Sequence, residues 1–153
     1  MLSDILAAPA VVAALKVKNK KQALQELAAR AAEAAGRSER EIFETLLQRE
    51  RLGSTGIGRG VAIPHGKLAK LDRLVGLFAR LERPVDFDAL DGEPVDLIFL
   101  LLAPEGAGAD HLKALARVAR LLRDDEIADK LRAARDSDAI FALLTAPSAS
   151  HAA

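Results

Sequence analysis

Five segments of the chain carry the apolar spacing or the capping residues of α-helices. Two of them open with a capping box, Asn19 with Gln22 and Ser38 with Glu41, in which a side-chain oxygen accepts from a free backbone N–H. Asp110 is expected to cap a third helix. The predicted helices cover residues 20–35, 39 to about 49, 111–122 and 126–134, with a last helix after Asp136.

Runs of apolar residues between these helices predict β-strands. Residues 95–102 are nearly continuous in Leu, Ile and Phe, as expected of a central strand covered on both faces. Further strands are predicted at 11–17, 61–63 and 74–81, with a short one at 85–87. Because strands and helices are mixed without regular βαβ alternation, we predict a single α/β domain over residues 1–145, with a mixed β-sheet flanked by helices on both sides. Residues 146–153 are predicted to be a loose C-terminal tail.

Composition excludes several classes of protein. The 22 basic and 22 acidic residues cancel, and Trp and Tyr are absent, so a nucleic-acid binder is disfavoured. Without cysteine there are no disulfides or thiolate metal sites, and no metal or cofactor is expected. Apolar runs are far shorter than the roughly 20 residues that span a bilayer. We therefore expect a cytoplasmic protein with no membrane insertion.

Two charged clusters are predicted to be solvated surface, and neither is expected to form a ligand site. The acidic cluster consists of Asp86, Asp88, Asp91, Glu93 and Asp96, and the basic one of Lys16, Lys18, Lys20 and Lys21. The glycine-rich turn region at 53–60 lacks the Gly-Lys-Ser/Thr ending of a P-loop, so nucleotide binding there is unsupported.

His65 has the most distinctive surroundings of the three histidines. It follows a short strand, lies between Pro64 and Gly66, and comes directly after the glycine-rich region. Proline fixes the approach of the backbone, and glycine keeps bulk away from the ring. The alternative is a turn histidine that is hydrogen-bonded to backbone. His151 lies in the predicted tail and is most simply an end residue.

Other candidate residues have both a functional and a structural interpretation. His111 lies in the first turn of a predicted helix, which suits an anion, but could be an exposed helix-start residue. Arg49 and Arg51 could form bidentate hydrogen bonds to phosphate oxygens, or they could only complement a helix dipole. Hydroxyl and backbone N–H groups in the adjacent loop could bind an anion or form ordinary turns. These loop candidates are Ser54, Thr55 and Gly56.

Together these residue types suit phosphoryl transfer to histidine. The nucleophile must be a neutral imidazole nitrogen, with the proton of the other nitrogen held by an acceptor. Charge on the transferred group is then stabilised by preorganised donors, which an arginine and a second histidine can supply.

The run from Arg49 to Gly66, RERLGSTGIGRGVAIPHG, closely resembles the active-site signature of phosphotransferase-system enzyme IIA domains of the fructose/mannitol type. The later Pro104-Glu and His111-Leu-Lys-Ala-Leu-Ala-Arg stretches are similar to the second conserved block of that family. The resemblance covers roughly residues 2–145. It implies an α/β fold with a mixed sheet, His65 as the phosphorylated residue, His111 as the second active-site histidine and Arg49 beside them. Arg51 stands where relatives often have lysine.

The resemblance also implies a partner and a role. Members of the family receive phosphate from a histidine-containing phosphocarrier protein, itself charged by enzyme I from phosphoenolpyruvate. The Gly-Ser-Thr-Gly-Ile-Gly sequence resembles that of the nitrogen-regulatory branch, whose members regulate partners according to phosphorylation state. Two alternatives remain: a sugar-transport IIA subunit that passes phosphate to a separate fructose/mannitol-type permease, and a binding module whose histidines never turn over.

Overall fold

The structure is a computed structural model that describes residues 2–146 of the chain. The predicted tail lies outside the described residues from residue 147 onward, and so does His151. Two short 3₁₀ turns, Leu2–Asp4 and Ala8–Ala10, precede the first strand. The strands are β1 Val11–Leu15, β2 Gly56–Gly58, β3 Val61–Ala62, β4 His65–Leu68, β5 Val75–Val85 and β6 Val95–Pro104. The helices are α1 Lys20–Ala35, α2 Glu39–Arg51, α3 Ala109–Arg123, α4 Asp125–Ala133 and α5 Ser137–Thr145.

The sheet is mixed, as the sequence predicts. Within the described residues it has six strands in the order β1-β5-β6-β3-β2, and β4 also pairs with β6. Strands β3 and β4 run parallel to β6, and β5 runs antiparallel to it. At the edges, β1 is parallel to β5 and β2 is antiparallel to β3.

Strand β6 is the centre of the molecule. Every residue from Leu97 to Ala103 is buried, so both faces of this strand are covered. Phe78 on β5 pairs with Phe99 on β6, and both side chains are fully buried. The prediction of a sheet with helices on both faces is confirmed.

Strands β3 and β4 form two parts of one interrupted line along β6. Val61 pairs with Leu97 and His65 pairs with Leu101, and Ile63 and Pro64 lie between the two parts. Pro64 has no N–H to donate, but its carbonyl accepts from Leu101 N at 3.0 Å. The chain therefore resumes strand pairing at His65.

The capping boxes predict two helix starts correctly, and three other predictions differ from the structure. Asp110 is not a cap, because α3 begins at Ala109, two residues earlier than predicted, and its N-cap is Gly108. The short strand predicted at 85–87 is wrong, since Val85 is the last residue of the longer β5. The turn region at 53–60 contains β2, which has no apolar alternation and forms through its pairing with β3.

Candidate active site

His65 is half-buried, and its two ring nitrogens have different partners. Nδ1 lies 2.8 Å from the carbonyl oxygen of Ile63. Because a carbonyl only accepts, Nδ1 carries the proton in the neutral ring. Arg49 Nε lies 3.3 Å from Nε2, and arginine only donates, so Nε2 presents its lone pair. Both contacts specify the same tautomer, with the proton on Nδ1 and the lone pair on Nε2.

Arg49 reaches His65 from the last turn of α2. Its Nη1 also donates to the carbonyl oxygen of Gly53 at 3.1 Å, just beyond the end of the helix. The side chain therefore complements the helix dipole, as the structural interpretation expects, and also contacts the histidine. The two interpretations of Arg49 are compatible.

His111 lies beside His65 and is almost completely buried, with 5% of its surface exposed. The ring centroids of the two histidines are 5.5 Å apart, and the rings are nearly perpendicular. The interpretation of His111 as an exposed helix-start residue is therefore wrong. Within residues 2–146 its Nδ1 has no hydrogen-bond partner. A proton on Nδ1 would be a buried, unpaired donor, so the neutral ring with its proton on Nε2 is favoured.

Both histidines are held in the neutral form. Burial lowers the pKa of His65 below its ordinary value of 6.5, and Arg49 lowers it further, while the Ile63 contact and Glu50 act in the opposite direction. Burial also lowers the pKa of His111, with smaller contributions from His65 and Lys67. The pair is therefore uncharged near neutral pH, the state that a nucleophilic imidazole requires.

A surface cavity of about 510 Å³ opens over these residues. His65, His111 and Arg49 line it together with Lys67, so two cationic side chains border the cavity. Two strongly exposed leucines also line it, Leu52 at 85% and Leu112 at 68% exposure. Leu112 belongs to α3 and faces solvent where it lines this cavity.

The loop candidates use their polar groups within the protein. Ser54 Oγ donates to the carbonyl oxygen of Phe87 and accepts from Gly56 N. Thr55 donates through both N and Oγ1 to Glu50. None of the three loop residues lines the cavity. A direct phosphate contact by Ser54, Thr55 or Gly56 stays a prediction.

The remaining sequence candidates lie away from the cavity. Arg51 is exposed and does not line it. In the acidic cluster, Asp96 pairs with Arg132 at 2.9 Å, and Asp91 accepts from the backbone N–H of Arg59. Among the described residues, no group of three or more His, Asp or Glu side chains could hold a metal ion. Between residues 2 and 146, no helix is long and apolar enough to cross a membrane.

Sequence reasoning missed an ion pair behind the loop. Lys20 was expected to be solvated, but its Nζ lies 2.7 Å from a carboxylate oxygen of the buried Glu50. One signal was available, since an acidic residue in the last turn of a helix opposes the dipole.

Comparison with known proteins places this chain in a family. The model of the "Phosphoenolpyruvate-dependent sugar phosphotransferase system, EIIA 2" family matches residues 4–146. The "Nitrogen regulatory protein" of Bradyrhizobium diazoefficiens is 66% identical over 151 residues, which is 99% of each chain. The crystal structure of nitrogen regulatory protein IIA-Ntr from Neisseria meningitidis has a TM-score of 0.90 at 39% identity and covers 94% of this chain and 99% of its own. The "PTS system fructose-specific EIIABC component" of Bacillus subtilis is 35% identical over 94% of this chain, which corresponds to 23% of that protein.

Proposed function

This chain belongs to the EIIA type 2 family of the phosphoenolpyruvate-dependent sugar phosphotransferase system, and from that premise we propose that it is a nitrogen-regulatory phosphocarrier that is phosphorylated on Nε2 of His65. The observation that carries the proposal is the pair of opposed contacts on one ring. Ile63 holds the proton on Nδ1, and Arg49 contacts the lone pair of Nε2.

The reaction follows from this tautomer. The lone pair of His65 Nε2 attacks the phosphorus of a phosphohistidine on the donor protein, and the P–N bond to the donor breaks. The bonding electron pair returns to the donor's imidazole. No proton has to leave His65 Nε2 first, because this nitrogen is unprotonated in the tautomer described above. Nδ1 keeps its proton and its bond to the Ile63 carbonyl throughout. Onward transfer reverses these steps with an acceptor, and the scheme uses no cofactor or metal ion.

Two side chains are placed to stabilise the phosphoryl group. Arg49 can donate to its oxygens through charge-assisted hydrogen bonds, and His111 can donate from Nε2 when its ring is neutral. Since the transition state spreads charge over the equatorial oxygens, fixed donors of this kind supply most of the stabilisation. Arg49 and His111 therefore act as charge stabilisers, with His65 as the nucleophile.

The donor in this proposal is a histidine-containing phosphocarrier protein, and the location is cytoplasmic. The regulatory assignment is supported by the nitrogen regulatory protein of Bradyrhizobium diazoefficiens, which is 66% identical to this chain over 99% of each protein. The fructose-specific relative is more distant, and this chain corresponds to only 23% of its length. The output is then regulation of partner proteins according to the phosphorylation state of His65.

Labelling tests the chemistry directly. Enzyme I, the phosphocarrier protein and labelled phosphoenolpyruvate should place an acid-labile label on this protein, and His65→Ala should abolish it. His151→Ala serves as the control, because it removes a histidine far along the chain from the site and should keep the label. Absence of label on the wild-type protein, or its retention in His65→Ala, refutes the proposal.

A second assay separates regulation from sugar transport. Membranes containing a fructose/mannitol-type permease are supplemented with phosphorylated protein, and sugar phosphate is measured. The regulatory proposal predicts no stimulation above background. Formation of sugar phosphate at a rate that scales with added protein would assign the chain to the transport branch.

A further inference from the structure

Glu50 is a buried carboxylate in a position that is unfavourable without partners. It lies in the last turn of α2, where the helix dipole disfavours negative charge, and its side chain is only 4% exposed. Three donors meet it: Lys20 Nζ at 2.7 Å, Thr55 N at 2.9 Å and Thr55 Oγ1 at 2.6 Å. Removing any of these partners would leave a buried charge or a buried polar group unpaired, which is costly. The carboxylate therefore holds Thr55 in one place.

The hydrogen bonds continue from Thr55 to His65. The carbonyl oxygen of Thr55 accepts from Ile63 N at 2.9 Å. The carbonyl oxygen of Ile63 in turn lies 2.8 Å from His65 Nδ1. The acceptor that selects the tautomer of His65 is thus held by the residue that Glu50 fixes. The hydrogen bond between His65 and the Ile63 carbonyl spans Pro64, in the gap between β3 and β4. Because strand pairing is interrupted there, the Ile63 carbonyl can point toward the His65 ring.

A second set of contacts fixes the same loop from behind. Lys20 Nζ donates to the carbonyl oxygen of Phe87 at 3.2 Å and lies 5.3 Å from the centroid of its ring. Ser54 Oγ donates to the same carbonyl. Phe87 is fully buried, so Lys20 and the start of the loop are both anchored to the core. Glu50 and Lys20 together leave Thr55 little freedom.

We propose that Glu50 is a positioning residue that acts through Thr55 and Ile63 to keep the proton of His65 on Nδ1 and the lone pair on Nε2. Glu50 does not line the cavity. Its effect on the tautomer is a property of the unphosphorylated protein. Its effect on phosphotransfer rests on the function proposed above.

Glu50→Gln tests the proposal, with Glu44→Gln as the matched control. Glutamine keeps the size of the side chain but loses the charge and presents an amide NH₂ to one of the three donors. Glu44 lies on the same helix and forms an exposed ion pair with Arg40. Long-range ¹⁵N–¹H correlation spectra of the unphosphorylated protein report which nitrogen of His65 carries the proton. The same variants are then assayed for phosphorylation by the carrier protein.

Wild type and Glu44→Gln should show His65 protonated on Nδ1 alone. Glu50→Gln should show a second population protonated on Nε2, and its maximal phosphorylation rate should fall about 10-fold or more while the half-saturating concentration of donor stays the same. A Glu50→Gln protein with the wild-type tautomer overturns the proposal, whatever its rate. A tautomer shift in a system in which the wild type takes up no phosphate supports the positioning role and refutes the proposed function.

A pair of variants at Thr55 keeps the test valid if Glu50→Gln does not fold. Thr55→Val removes only the hydroxyl donor to Glu50 Oε1, whereas Thr55→Ser keeps this donor. Thr55→Val should shift the tautomer in the same direction by a smaller amount, and Thr55→Ser should match wild type. Equal spectra for all three proteins would overturn the role of this hydrogen-bond path.

Discussion

At the level of single residues, the chemistry of the site depends on which ring nitrogen of each histidine is hydrogen-bonded or buried by the rest of the protein. The fold pairs Nδ1 of His65 with a carbonyl, and it buries Nδ1 of His111 without a partner among the described residues. The lone pair of the first ring and the N–H of the second therefore belong to the two Nε2 atoms. The proposed roles of His65 as nucleophile and His111 as donor depend on these surroundings.

Replacing Arg49 with lysine should slow phosphorylation of His65 about 100-fold, the usual cost of losing one preorganised donor. A lysine ammonium cannot reproduce the forked contacts with His65 Nε2 and the Gly53 carbonyl. The measurement is the initial rate of label transfer from the carrier protein. Arg51→Lys is the matched control, because Arg51 is exposed two residues away, and its rate should stay within about 3-fold of wild type. Equal rates for the two variants would contradict the role of Arg49.

The two histidines should make the protein less stable in mild acid. Their pKa values are lowered in the folded state by burial, whereas the unfolded chain takes up protons near pH 6.5. Between pH 7 and about 5.5 the unfolded state thus binds more protons, and the free energy of unfolding should fall as pH falls. Urea denaturation across this range measures the slope. His111→Gln should have a shallower slope than wild type, and an unchanged slope would contradict the assignment.

The prominence of His65 could be predicted from its neighbours, because proline, glycine and a preceding strand are local signals. Its tautomer could not, since the acceptor is a backbone carbonyl whose direction depends on the break between β3 and β4. The burial of His111 could not be predicted from its neighbours in the sequence either, because it comes from packing against residues far along the chain. The partner of Lys20 is 30 positions away in the sequence, so composition alone made that side chain look solvated.

At the level of elements, helix starts were the most predictable feature because capping is local. Asn19 and Ser38 accept from the backbone N–H groups of Gln22 and Glu41, as expected. Asp136 caps α5 in the same way. The predicted cap at Asp110 failed because the preceding glycine turn starts α3 earlier, at Ala109, so that Asp110 lies inside the first turn.

The contact between α2 and β4 leaves no room for a side chain at Gly66. A Cβ there would lie 2.5 Å from Thr45 Cγ2, so Gly66→Ala should destabilise the fold by about 1–3 kcal/mol. Phosphorylation should also slow, because Arg49 is one turn beyond Thr45 on the displaced helix. Urea denaturation gives the free energy of unfolding. Thr45→Ala combined with Gly66→Ala should recover most of the loss.

The control for this change is Gly106→Ala, where nothing lies within 4 Å of the added carbon. Its free energy of unfolding should stay within about 0.5 kcal/mol of wild type. If Gly66→Ala behaves like Gly106→Ala, the close approach of α2 to β4 is not a constraint on the site.

At the scale of the whole molecule, Arg80 connects the sheet to the C-terminal helices. Its Nε donates to the carbonyl oxygen of Ala13 on β1 at 2.9 Å. Its Nη1 lies within 3.2 Å of three carbonyl oxygens at the end of α4, those of Leu131, Arg132 and Ala134. A guanidinium thus pairs free carbonyls at a helix end, where positive charge is favoured.

Arg80→Met should lower the free energy of unfolding by about 3 kcal/mol, since several charge-assisted hydrogen bonds are lost and carbonyls are left unpaired. Arg80→Lys should recover less than half of this loss, because an ammonium cannot span the same acceptors. The comparison is Arg83→Met on the same strand, where the side chain is exposed. A loss no larger than that of Arg83→Met would show that Arg80 is not a structural link.

The class of fold followed from the sequence, but the order of strands did not. The apolar run at 95–102 identified the central strand, because burial on both faces leaves a continuous apolar pattern. Which strands lie beside it depends on contacts between distant parts of the chain, such as β1 with β5. Short strands such as β2 form only when such a partner is present.

His65 is the first residue of a strand that is hydrogen-bonded to the central strand, so the backbone beside its ring has little freedom to rearrange on the phosphorylation proposed above. Target proteins would then meet nearly the same shape in both states, with up to two negative charges added at one point. Discrimination between the states becomes a matter of Coulomb forces, which dissolved ions weaken. Raising the salt concentration from 50 mM to 500 mM should therefore narrow the difference in target affinity between phosphorylated and unphosphorylated protein, whereas a shape-based switch would leave it unchanged.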